Sequence, residues 1–285
     1  MKNLLKNACN ELNLKIDDNQ IDEFLKYKQL LLEWNEKINL TAITDDKEII
    51  LKHFVDCLTV CKFIDFNNKT FIDVGTGAGF PALPIKIFCK SSAPTLLDSL
   101  NKRINFLKTV GNELNLQNIT YVHSRAEDAG QDIAFREKYD FCVSRAVANL
   151  SVLAEFDLPF VKVDGYFIAL KGPLLDNEII DANKAITTLG GIIEKVETIK
   201  IPFTDIEHKL VFIKKLRQTP KQYPRKAGKV SRNPIKWQHL YSYIVTFCNY
   251  LFILNFLTFG NNWVIYAIIH LKYNIYEVYY AKLEK

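Results

Sequence analysis

Near the start of the chain, apolar residues recur at three- and four-residue steps, the spacing of the buried face of an amphipathic helix. They are Ile21, Phe24, Leu25, Tyr27, Leu30, Leu31 and Trp34. A second run with the same spacing predicts another helix with Thr44 as its N-cap. Its apolar face carries Ile49, Ile50, His53, Phe54, Cys57, Leu58 and Cys61. Residues 1–65 are therefore predicted to form an N-terminal helical region.

Between residues 66 and 217, short apolar runs alternate with segments of helical periodicity, the pattern of a parallel sheet with helices on both faces. The predicted strands are residues 70–74, 94–98, 119–123, 139–144, 164–171, 191–200 and 208–215. Helices fill the gaps after the first five strands. The last two strands are joined by a short connection that contains Pro202, so they should pair antiparallel. The prediction is an α/β, Rossmann-like domain with a seven-stranded, mostly parallel sheet and one reversed edge strand.

Charge singles out the segment that follows. The chain carries 37 Lys and Arg against 32 Asp and Glu, a net charge of +5, which is uninformative until its distribution is considered. Residues 214–232 have no acidic residue and contain Lys214, Lys215, Arg217, Lys221, Arg225, Lys226, Lys229 and Arg232. Such a cluster attracts polyanions, although a solvated loop can have the same composition. We treat residues 218–235 as a separate basic segment.

Residues 236–285 form a hydrophobic extension. The stretch from Leu240 to Ile269 contains no charged residue. A stretch of this length is long enough for a membrane-spanning helix. The run is nevertheless interrupted by Asn249, Asn255, Gly260, Asn261 and Asn262. Three interpretations compete: a membrane or interface segment, a partner-binding tail, and a terminal extension without a role. The interruptions favour the last, and membrane contact stays open.

The cysteines exclude two further classes of protein. Six are present without a C-x-x-C pair, so neither a disulfide scaffold nor a zinc ribbon is indicated. His53, Cys57 and Cys61 have the spacing of one helical face, but a fourth ligand is missing, and we interpret them as core residues with no metal. The N-terminus lacks the apolar region of a signal peptide. We expect a protein of the reducing cytoplasm.

The segment FIDVGTGAGFPALP, residues 71–84, is the most informative in the chain. A buried strand ends near Asp73, and Gly75, Gly77 and Gly79 allow the backbone to turn sharply before a helix begins. Such a loop suits a dinucleotide or S-adenosylmethionine. Asp73 would repel a pyrophosphate but attract the ammonium and sulfonium of S-adenosylmethionine. The pattern therefore favours the methyl donor.

Two other strand ends carry candidate ligands of the same cofactor. Asp98 ends the second predicted strand, where an acid can accept hydrogen bonds from ribose hydroxyls; the alternative is that it caps the next helix. Residues 124–128 follow the third strand, where they could meet the adenine ring. Arg145 ends the fourth strand, on the side where open sheets bind ligands, although a structural salt bridge would also explain it.

Several motifs together resemble one family. They are Asp73 to Pro84, LLDSLNKRINFL from Leu96, SRAED from Ser124, SRAVANL from Ser144, YPRKAG from Tyr223, and the earlier WNEKINLTAIT and HFVDCL runs. In this order they resemble the RsmG (GidB) family of bacterial 16S rRNA (guanine-N7)-methyltransferases over residues 1–235. The chain departs from the family at KVSRNPI and extends past the family's usual terminus at residue 236.

The resemblance implies a class I methyltransferase fold, S-adenosylmethionine as methyl donor, and a guanosine of 16S rRNA as acceptor. It also implies cofactor contacts at Gly75, Phe80, Ala126, Glu127 and Arg145, to which the loop argument adds Gly77, Gly79 and Asp98. The expected partner is 16S rRNA or the assembling small subunit and not DNA, and the enzyme is expected to be a monomer.

Guanine N7 holds an in-plane lone pair and no proton, so this chemistry needs positioning but no general base. The catalytic residues are unknown; the positioning candidates are His53, Asp56, Arg145 and Lys171. The phosphates of the RNA should meet Lys221, Arg225, Lys226, Lys229 and Arg232. Two rival hypotheses remain, a nicotinamide-dependent oxidoreductase and a membrane-tethered RNA-binding protein.

Overall fold

The computed structural model describes residues 1–145, 148–173 and 175–236, with residues 176 and 177 described by their backbone alone. The predictions for the hydrophobic extension therefore lie outside the described residues, apart from Lys236. Residues 1–236 form one compact unit. None of the helices in these described ranges combines the length and the apolar character needed to cross a membrane.

The N-terminal region is helical, as predicted. Helix α1 spans Lys2–Glu11 and α2 spans Asp18–Ile38. A capping box begins α2, in which the Asp17 side chain accepts from the Gln20 backbone and the Gln20 side chain accepts in return. A further helical run consists of α3 (Asp46–Glu48), a π-helical stretch (Ile49–Val55), α4 (Asp56–Leu58) and a 3-10 turn (Thr59–Lys62). It is capped by Asp45 and not by Thr44, because the Asp45 side chain accepts from the Glu48 backbone.

The middle of the chain alternates strands and helices as predicted. The strands are β1 (Thr70–Val74), β2 (Ala93–Asp98), β3 (Thr120–His123), β4 (Tyr139–Arg145), β5 (Val161–Lys171), β6 (Gly191–Lys200) and β7 (Glu207–Lys215). The helices after the first five strands are α5 (Ala82–Phe88), α6 (Asn101–Glu113), α7 (Ala126–Ala129), α8 (Leu150–Asp157) and α9 (Asp176–Thr188). A short helix, α10 (Lys229–Arg232), lies in the basic segment.

The sheet has seven strands in the order β3-β2-β1-β4-β5-β7-β6. The first five strands pair in parallel, and β7 pairs antiparallel with both β5 and β6. The predicted hairpin is therefore confirmed, but the reversed strand is not at the edge. After β5, the chain crosses over through α9 to β6, which lies at the edge of the sheet. The hairpin then brings β7 back between β5 and β6. The edge strand β6 consequently runs in the same direction as β1 to β5.

Both faces of the sheet are buried, so its central strands are continuous apolar runs instead of alternating ones. On β5, Ile168 and Leu170 point into one core, and Phe167 and Ala169 point into the other. The first core unites the sheet with α1, α2, α5 and α6 through side chains such as Leu5, Phe24, Phe54, Ile85 and Phe106. The second core contains α8 and α9. The N-terminal helices therefore pack on the sheet itself.

The basic segment is attached to the second side of the sheet by specific hydrogen bonds. Arg136 donates to the carbonyl oxygens of Tyr223 at 2.7 Å and Thr219 at 2.8 Å, and Gln131 donates to that of Pro224 at 2.8 Å. The buried ammonium of Lys215, at the end of β7, donates to the Thr219 hydroxyl of this segment at 2.7 Å and to the Leu158 carbonyl at 2.6 Å, and burial lowers its pKa to about 8. Part of this segment is therefore structural.

Arg225 has a partner within the protein that the sequence did not predict. Its guanidinium lies against both carboxylate oxygens of Glu155, with Nη2 at 2.6 Å from Oε2 and Nε at 2.8 Å from Oε1. The Glu155 side chain is fully buried, and a buried carboxylate requires a partner of this kind. The charge of Arg225 is neutralised within the protein, which gives Arg225 a structural partner, and its contact with RNA phosphates stays a prediction. Lys221, Lys226, Lys229 and Arg232 are exposed.

We expect Arg225→Ala to lower the free energy of unfolding by about 3–5 kcal/mol, because it leaves the buried Glu155 carboxylate without its ion pair. The matched variant Lys226→Ala removes an exposed charge from the next residue and should change that free energy by less than about 0.5 kcal/mol. Urea denaturation of both variants measures the difference. Equal, small losses would contradict the structural assignment of Arg225.

Candidate active site

The glycine loop between β1 and α5 makes the sharp turn that the sequence predicts. Gly75, Gly77 and Gly79 have φ angles of 71°, 60° and 95°, a region that residues with a Cβ rarely adopt. The backbone N–H of Gly75 donates to the Leu97 carbonyl at 2.9 Å, which fixes the loop over the end of β2. The Tyr27 hydroxyl, from α2, donates to the carbonyl of Ala78. The loop is therefore held from the sheet and from the N-terminal helices.

Asp73 lies beneath the loop and does not line the cavity described below. One carboxylate oxygen accepts from the Thr76 hydroxyl at 2.9 Å and from the Ala82 backbone N–H at 3.0 Å. The other oxygen, Oδ1, is buried and has no partner among the described residues. Burial raises the pKa of this carboxyl to about 7. Asp73 therefore shapes the loop and does not line the cavity, and its attraction for a cationic ligand stays a prediction.

Asp98 supports the loop from the end of β2. Its Oδ2 accepts from the Gly77 backbone N–H at 2.9 Å and lies 3.3 Å from Arg103 Nη1, and its Oδ1 accepts from the Leu100 backbone N–H at 2.9 Å. The N-cap position of α6 is Leu100, so Asp98 is not the cap that the alternative interpretation required. Asp98 does line the cavity, and its ribose contact stays a prediction.

A cavity of about 410 Å³ opens at the carboxyl ends of β1, β2 and β4, a volume in the range of small-molecule sites. It is lined by Leu40, Thr41, His53, Gly75, Thr76, Gly77, Ala78, Phe80, Asp98, Ser99, Arg103 and Arg145. Of the predicted site residues, it brings together His53, Gly75, Gly77, Phe80, Asp98 and Arg145. Leu40, Thr41, Ser99 and Arg103 were not predicted, although each lies within a motif that supported the family resemblance.

Other predicted site residues do not line this cavity. Gly79 faces the core, where a Cβ would lie 2.6 Å from Leu83 and 2.8 Å from the Tyr27 hydroxyl. Lys171 donates to the Ala148 carbonyl at 2.9 Å and pairs with Glu178 at 2.8 Å. That ion pair gives Lys171 a structural partner, and its positioning role stays a prediction.

Ala126 and Glu127 begin α7, directly after β3. The backbone N–H of Ser124, two residues earlier, donates to the Asp98 carbonyl at 3.2 Å. This bond brings the start of α7 beside the strand end that carries Asp98. The structure does not include Ala126 and Glu127 in the cavity wall, so their cofactor contacts stay predictions.

Arg145 connects the sheet, the glycine loop and the N-terminal helices. From the end of β4, its Nη1 donates to Asp56 Oδ2 at 2.8 Å and to the Lys52 carbonyl at 3.0 Å, and its Nη2 lies 3.0 Å from His53 Nδ1. Its guanidinium carbon lies 5.0 Å from the centroid of the Phe80 ring, which in turn stacks on His53 at 4.6 Å. The sequence left two explanations for Arg145, a structural salt bridge and a position at the ligand side of the sheet. The structure shows both.

Asp56 lies at the centre of this network and is almost completely buried. Its second oxygen is 2.6 Å from His208 Nδ1, on β7. Despite burial, the hydrogen bond from His208 and the charge of Arg145 hold the pKa of Asp56 below its usual range. The same contact raises the pKa of His208, whereas burial and the charge of Arg145 lower the pKa of His53 to about 4. Asp56 is therefore ionised and His53 neutral at physiological pH.

The described residues contain no group of three or more His, Cys, Asp or Glu side chains arranged to hold a metal ion. The cavity fits S-adenosylmethionine in two respects. A Cβ on Gly77 would meet no atom nearer than the Gly75 carbonyl at 3.9 Å, so the loop leaves open space beside the cavity. The wall also combines an acid, Asp98, with the cations Arg103 and Arg145, which suits a ligand that carries hydroxyls, an ammonium and a carboxylate.

The fold and the loop together define the class. The order β3-β2-β1-β4-β5 also occurs in dinucleotide-binding domains, but in those a sixth parallel strand follows β5. Here the antiparallel β7 is inserted between β5 and β6. A sheet of this order with a glycine loop after β1 is the class I methyltransferase fold, as the resemblance implied.

The comparisons agree on the family. Residues 20–209 match the family described as GidB, rRNA small subunit methyltransferase G. The chain is 55% identical over 235 residues to the ribosomal RNA small subunit methyltransferase G of Clostridium botulinum (strain 657 / Type Ba4), which covers 82% of this chain and 98% of that protein. It is 53% identical over 236 residues to the protein of the same name from Alkaliphilus metalliredigens (strain QYMF), with coverage of 82% and 99%.

Among solved structures, the chain is similar to the SAM-bound magnesium protoporphyrin IX methyltransferase of Synechocystis PCC 6803. The TM-score is 0.48 at 13% identity, with coverage of 66% of this chain and 97% of that one. The chain belongs to the rRNA small subunit methyltransferase G family. The family resemblance and the prediction of a methyltransferase are thereby confirmed, and the oxidoreductase hypothesis is set aside.

We expect Gly79→Ala to be more damaging to the fold than Gly77→Ala. Both place a Cβ at a positive φ angle, which costs about 1–2 kcal/mol, but only Gly79 has side chains within 3 Å of that Cβ. Gly77→Ala should therefore lower the free energy of unfolding by about 1–2 kcal/mol, and Gly79→Ala by about 3 kcal/mol or more. Urea denaturation of the pair measures this difference, and a greater loss for Gly77→Ala would contradict the loop geometry.

The His208–Asp56 contact predicts a pH dependence. Because the pKa of His208 is raised in the folded state, its stabilising contribution is complete below 6.5 and is lost as the pH rises through the folded pKa. We expect the stability difference between the wild type and His208→Gln to shrink above pH 6.5, by at most about 1.4 kcal/mol per pH unit. A pH-independent difference for His208→Gln, measured by urea denaturation, would contradict the assignment.

Proposed function

We propose that the protein transfers a methyl group from S-adenosylmethionine to N7 of a guanosine in 16S rRNA of the small ribosomal subunit. The observation that carries the proposal is the match of 55% over almost the whole length of a ribosomal RNA small subunit methyltransferase G. The cavity supports it, because Gly75, Gly77, Phe80, Asp98 and Arg145 meet there on a methyltransferase sheet. These residues would hold the cofactor, together with Ala126 and Glu127, which follow β3.

When bound, S-adenosylmethionine supplies an electrophilic methyl group on its sulfonium. Guanine N7 has a lone pair in the plane of the ring, and it carries no proton that a base must remove. The residues of the site are consistent with a reaction of this type. His53 accepts a hydrogen bond from Arg145, and its pKa of about 4 keeps it neutral at physiological pH. The protein's contribution is then orientation of the base and the methyl donor, an effect worth up to about 7–11 kcal/mol.

The two sides of the cavity suggest a division of labour. Loops of the domain 66–217 supply the glycine turn, Asp98 and Arg103, so we assign them to the cofactor. The region 1–65 supplies Leu40, Thr41 and His53, so we assign it to the acceptor base. The segment 218–235 would hold RNA phosphates through Lys221, Lys226, Lys229 and Arg232. We assign no role to residues 236–285.

We further propose that the protein acts in the cytoplasm as a monomer, on 16S rRNA or the assembling small subunit and not on DNA. The exposed lysines of the basic segment support an RNA partner, because contacts to phosphates supply most of the salt-dependent affinity of such complexes.

The decisive experiment is mass mapping of methylated nucleosides in 16S rRNA from a strain with the gene deleted and complemented. We expect one 7-methylguanosine to disappear on deletion and to return with the full chain. Gly77→Ala, which adds a methyl group to the cavity wall, should restore it less efficiently. Unchanged modification in the deletion strain, or loss of a different modified nucleoside, would refute the proposal. Titration with S-adenosylmethionine and with NADH tests the cofactor separately, and only the former should bind.

A further inference from the structure

Thr41 occupies a fixed place in the cavity wall. It lies in the connection between α2 and α3, where the Asn35 side-chain oxygen accepts from the backbone N–H groups of Leu40 at 2.7 Å and Thr41 at 2.9 Å. Asn39 ends α2 in the left-handed conformation, with φ 48°. Hydrogen bonds from the backbone to the Asn35 side chain thus hold the connection in place, and Thr41 lines the cavity from it.

The hydrogen bonds that lead to Thr41 have a defined direction. A guanidinium can only donate, so Arg145 Nη2 donates to His53 Nδ1 over 3.0 Å. A neutral imidazole that accepts at Nδ1 must carry its proton at Nε2. His53 Nε2 lies 2.8 Å from Thr41 Oγ1, so it is the donor and the hydroxyl oxygen is the acceptor. The ion pair with Asp56 fixes the position of Arg145, the first donor in this series of hydrogen bonds.

The same hydroxyl oxygen accepts a second hydrogen bond. The backbone N–H of Ile43 donates to Thr41 Oγ1 at 3.0 Å. A hydroxyl has two lone pairs and one proton, and both lone pairs are occupied. Across the part of the chain that the structure describes, Thr41 Oγ1 forms these two hydrogen bonds and no third one that would use its proton. Thr41 therefore presents the cavity with a hydrogen-bond donor and cannot serve as an acceptor there.

The purine bases differ at the position that such a donor would read. Beside N7, guanine has the acceptor O6, whereas adenine has the donor N6 amino group. A protein donor beside N7 would bond to O6 of guanine and would face a second donor in adenine. A donor that the bound base covers without pairing loses its hydrogen bond to water, which disfavours adenine.

We propose that the Thr41 hydroxyl donates to O6 of the target guanine and so selects guanine and turns its N7 toward the methyl donor. The inference rests on the proposed function, because it assumes that the acceptor is a guanine. Thr41 acts by orienting and selecting the base, and His53, Arg145 and Asp56 fix the direction of its hydroxyl. Leu40, the neighbouring lining residue, gives the base an apolar contact on the same wall.

A competing ligand for the hydroxyl is the carboxylate of the cofactor, which is also an acceptor. The walls of the cavity favour the base. Arg103 and Arg145 give the wall two cations for the carboxylate, in addition to their ion pairs with Asp98 and Asp56, and a neutral hydroxyl is a weaker partner for it. Thr41 and Leu40 come from the helical region, whereas the loops assigned to the cofactor follow β1 and β2.

The test compares Thr41→Val with Thr41→Ser in the full chain. Valine has nearly the shape of threonine without the hydroxyl, and serine keeps the hydroxyl. We expect Thr41→Val to lower kcat/KM for the rRNA by about tenfold, which corresponds to the loss of one neutral hydrogen bond. Thr41→Ser should stay within about threefold of the wild type. Calorimetry should give the same affinity for S-adenosylmethionine in all three proteins.

A base analogue separates selection of the base from a general structural effect. An rRNA with 2-aminopurine at the mapped nucleotide keeps N7 and lacks O6. The wild type should methylate it about tenfold less efficiently than guanosine, and Thr41→Val should show no such preference. This comparison of ratios is unaffected by a uniform loss of activity, and thermal denaturation reports separately whether the variant folds.

The possible failures are distinguishable. Absence of N7 methylation by the wild type on natural rRNA would overturn the proposed function itself. A wild type that methylates guanosine and 2-aminopurine equally well would overturn the role of Thr41 whatever the stability of the variants. An equal fall of Thr41→Val on both substrates, or weaker binding of S-adenosylmethionine, would overturn it as well, in favour of a structural or a cofactor-binding role.

Discussion

The buried ion pair between Arg145 and Asp56 is the interaction on which the site depends. Arg145 belongs to the central sheet and Asp56 to the N-terminal helical run, so the pair joins the two parts at the ligand side of the sheet. Both groups are largely removed from water, and a charge left alone there would be strongly destabilising. His208 also bonds to Asp56, and the Lys52 carbonyl and His53 Nδ1 accept from Arg145. The helical region therefore docks in one position, and the cavity has a fixed wall.

This ion pair also controls the protonation of the site. A guanidinium donates and never accepts, and its charge disfavours a second positive charge on His53. The imidazole of His53 is consequently neutral, with its proton on Nε2, and this N–H donates to Thr41 Oγ1. Asp56, by contrast, stabilises the charged form of His208 on its other side. Two histidines near one carboxylate thus have opposite pKa shifts, because burial and the charge of Arg145 lower the pKa of His53, whereas the hydrogen bond to Asp56 raises that of His208.

The glycine loop depends on two carboxylates with different surroundings. Asp73 is enclosed by the loop, and its burial makes the neutral form accessible near pH 7. Asp98 reaches the cavity and accepts hydrogen bonds from two backbone N–H groups. The sequence places both residues at strand ends, and only the packing decides which one meets the ligand. The acid nearer the glycines in sequence is the one farther from the cavity.

Sequence alone was sufficient for the elements and for the chemistry of the loop. Helical and strand periodicity are local properties, and the glycines and Asp73 require only the turn that follows β1. The family resemblance rested on motifs that are also contiguous in sequence. The tertiary structure alone decided the order of β7 and β6, the neutralisation of Arg225 by Glu155, and the contact between His208 and Asp56, which are 152 residues apart. These features join residues from distant parts of the chain, and no local pattern encodes which of several exposed or buried partners a charged side chain will reach.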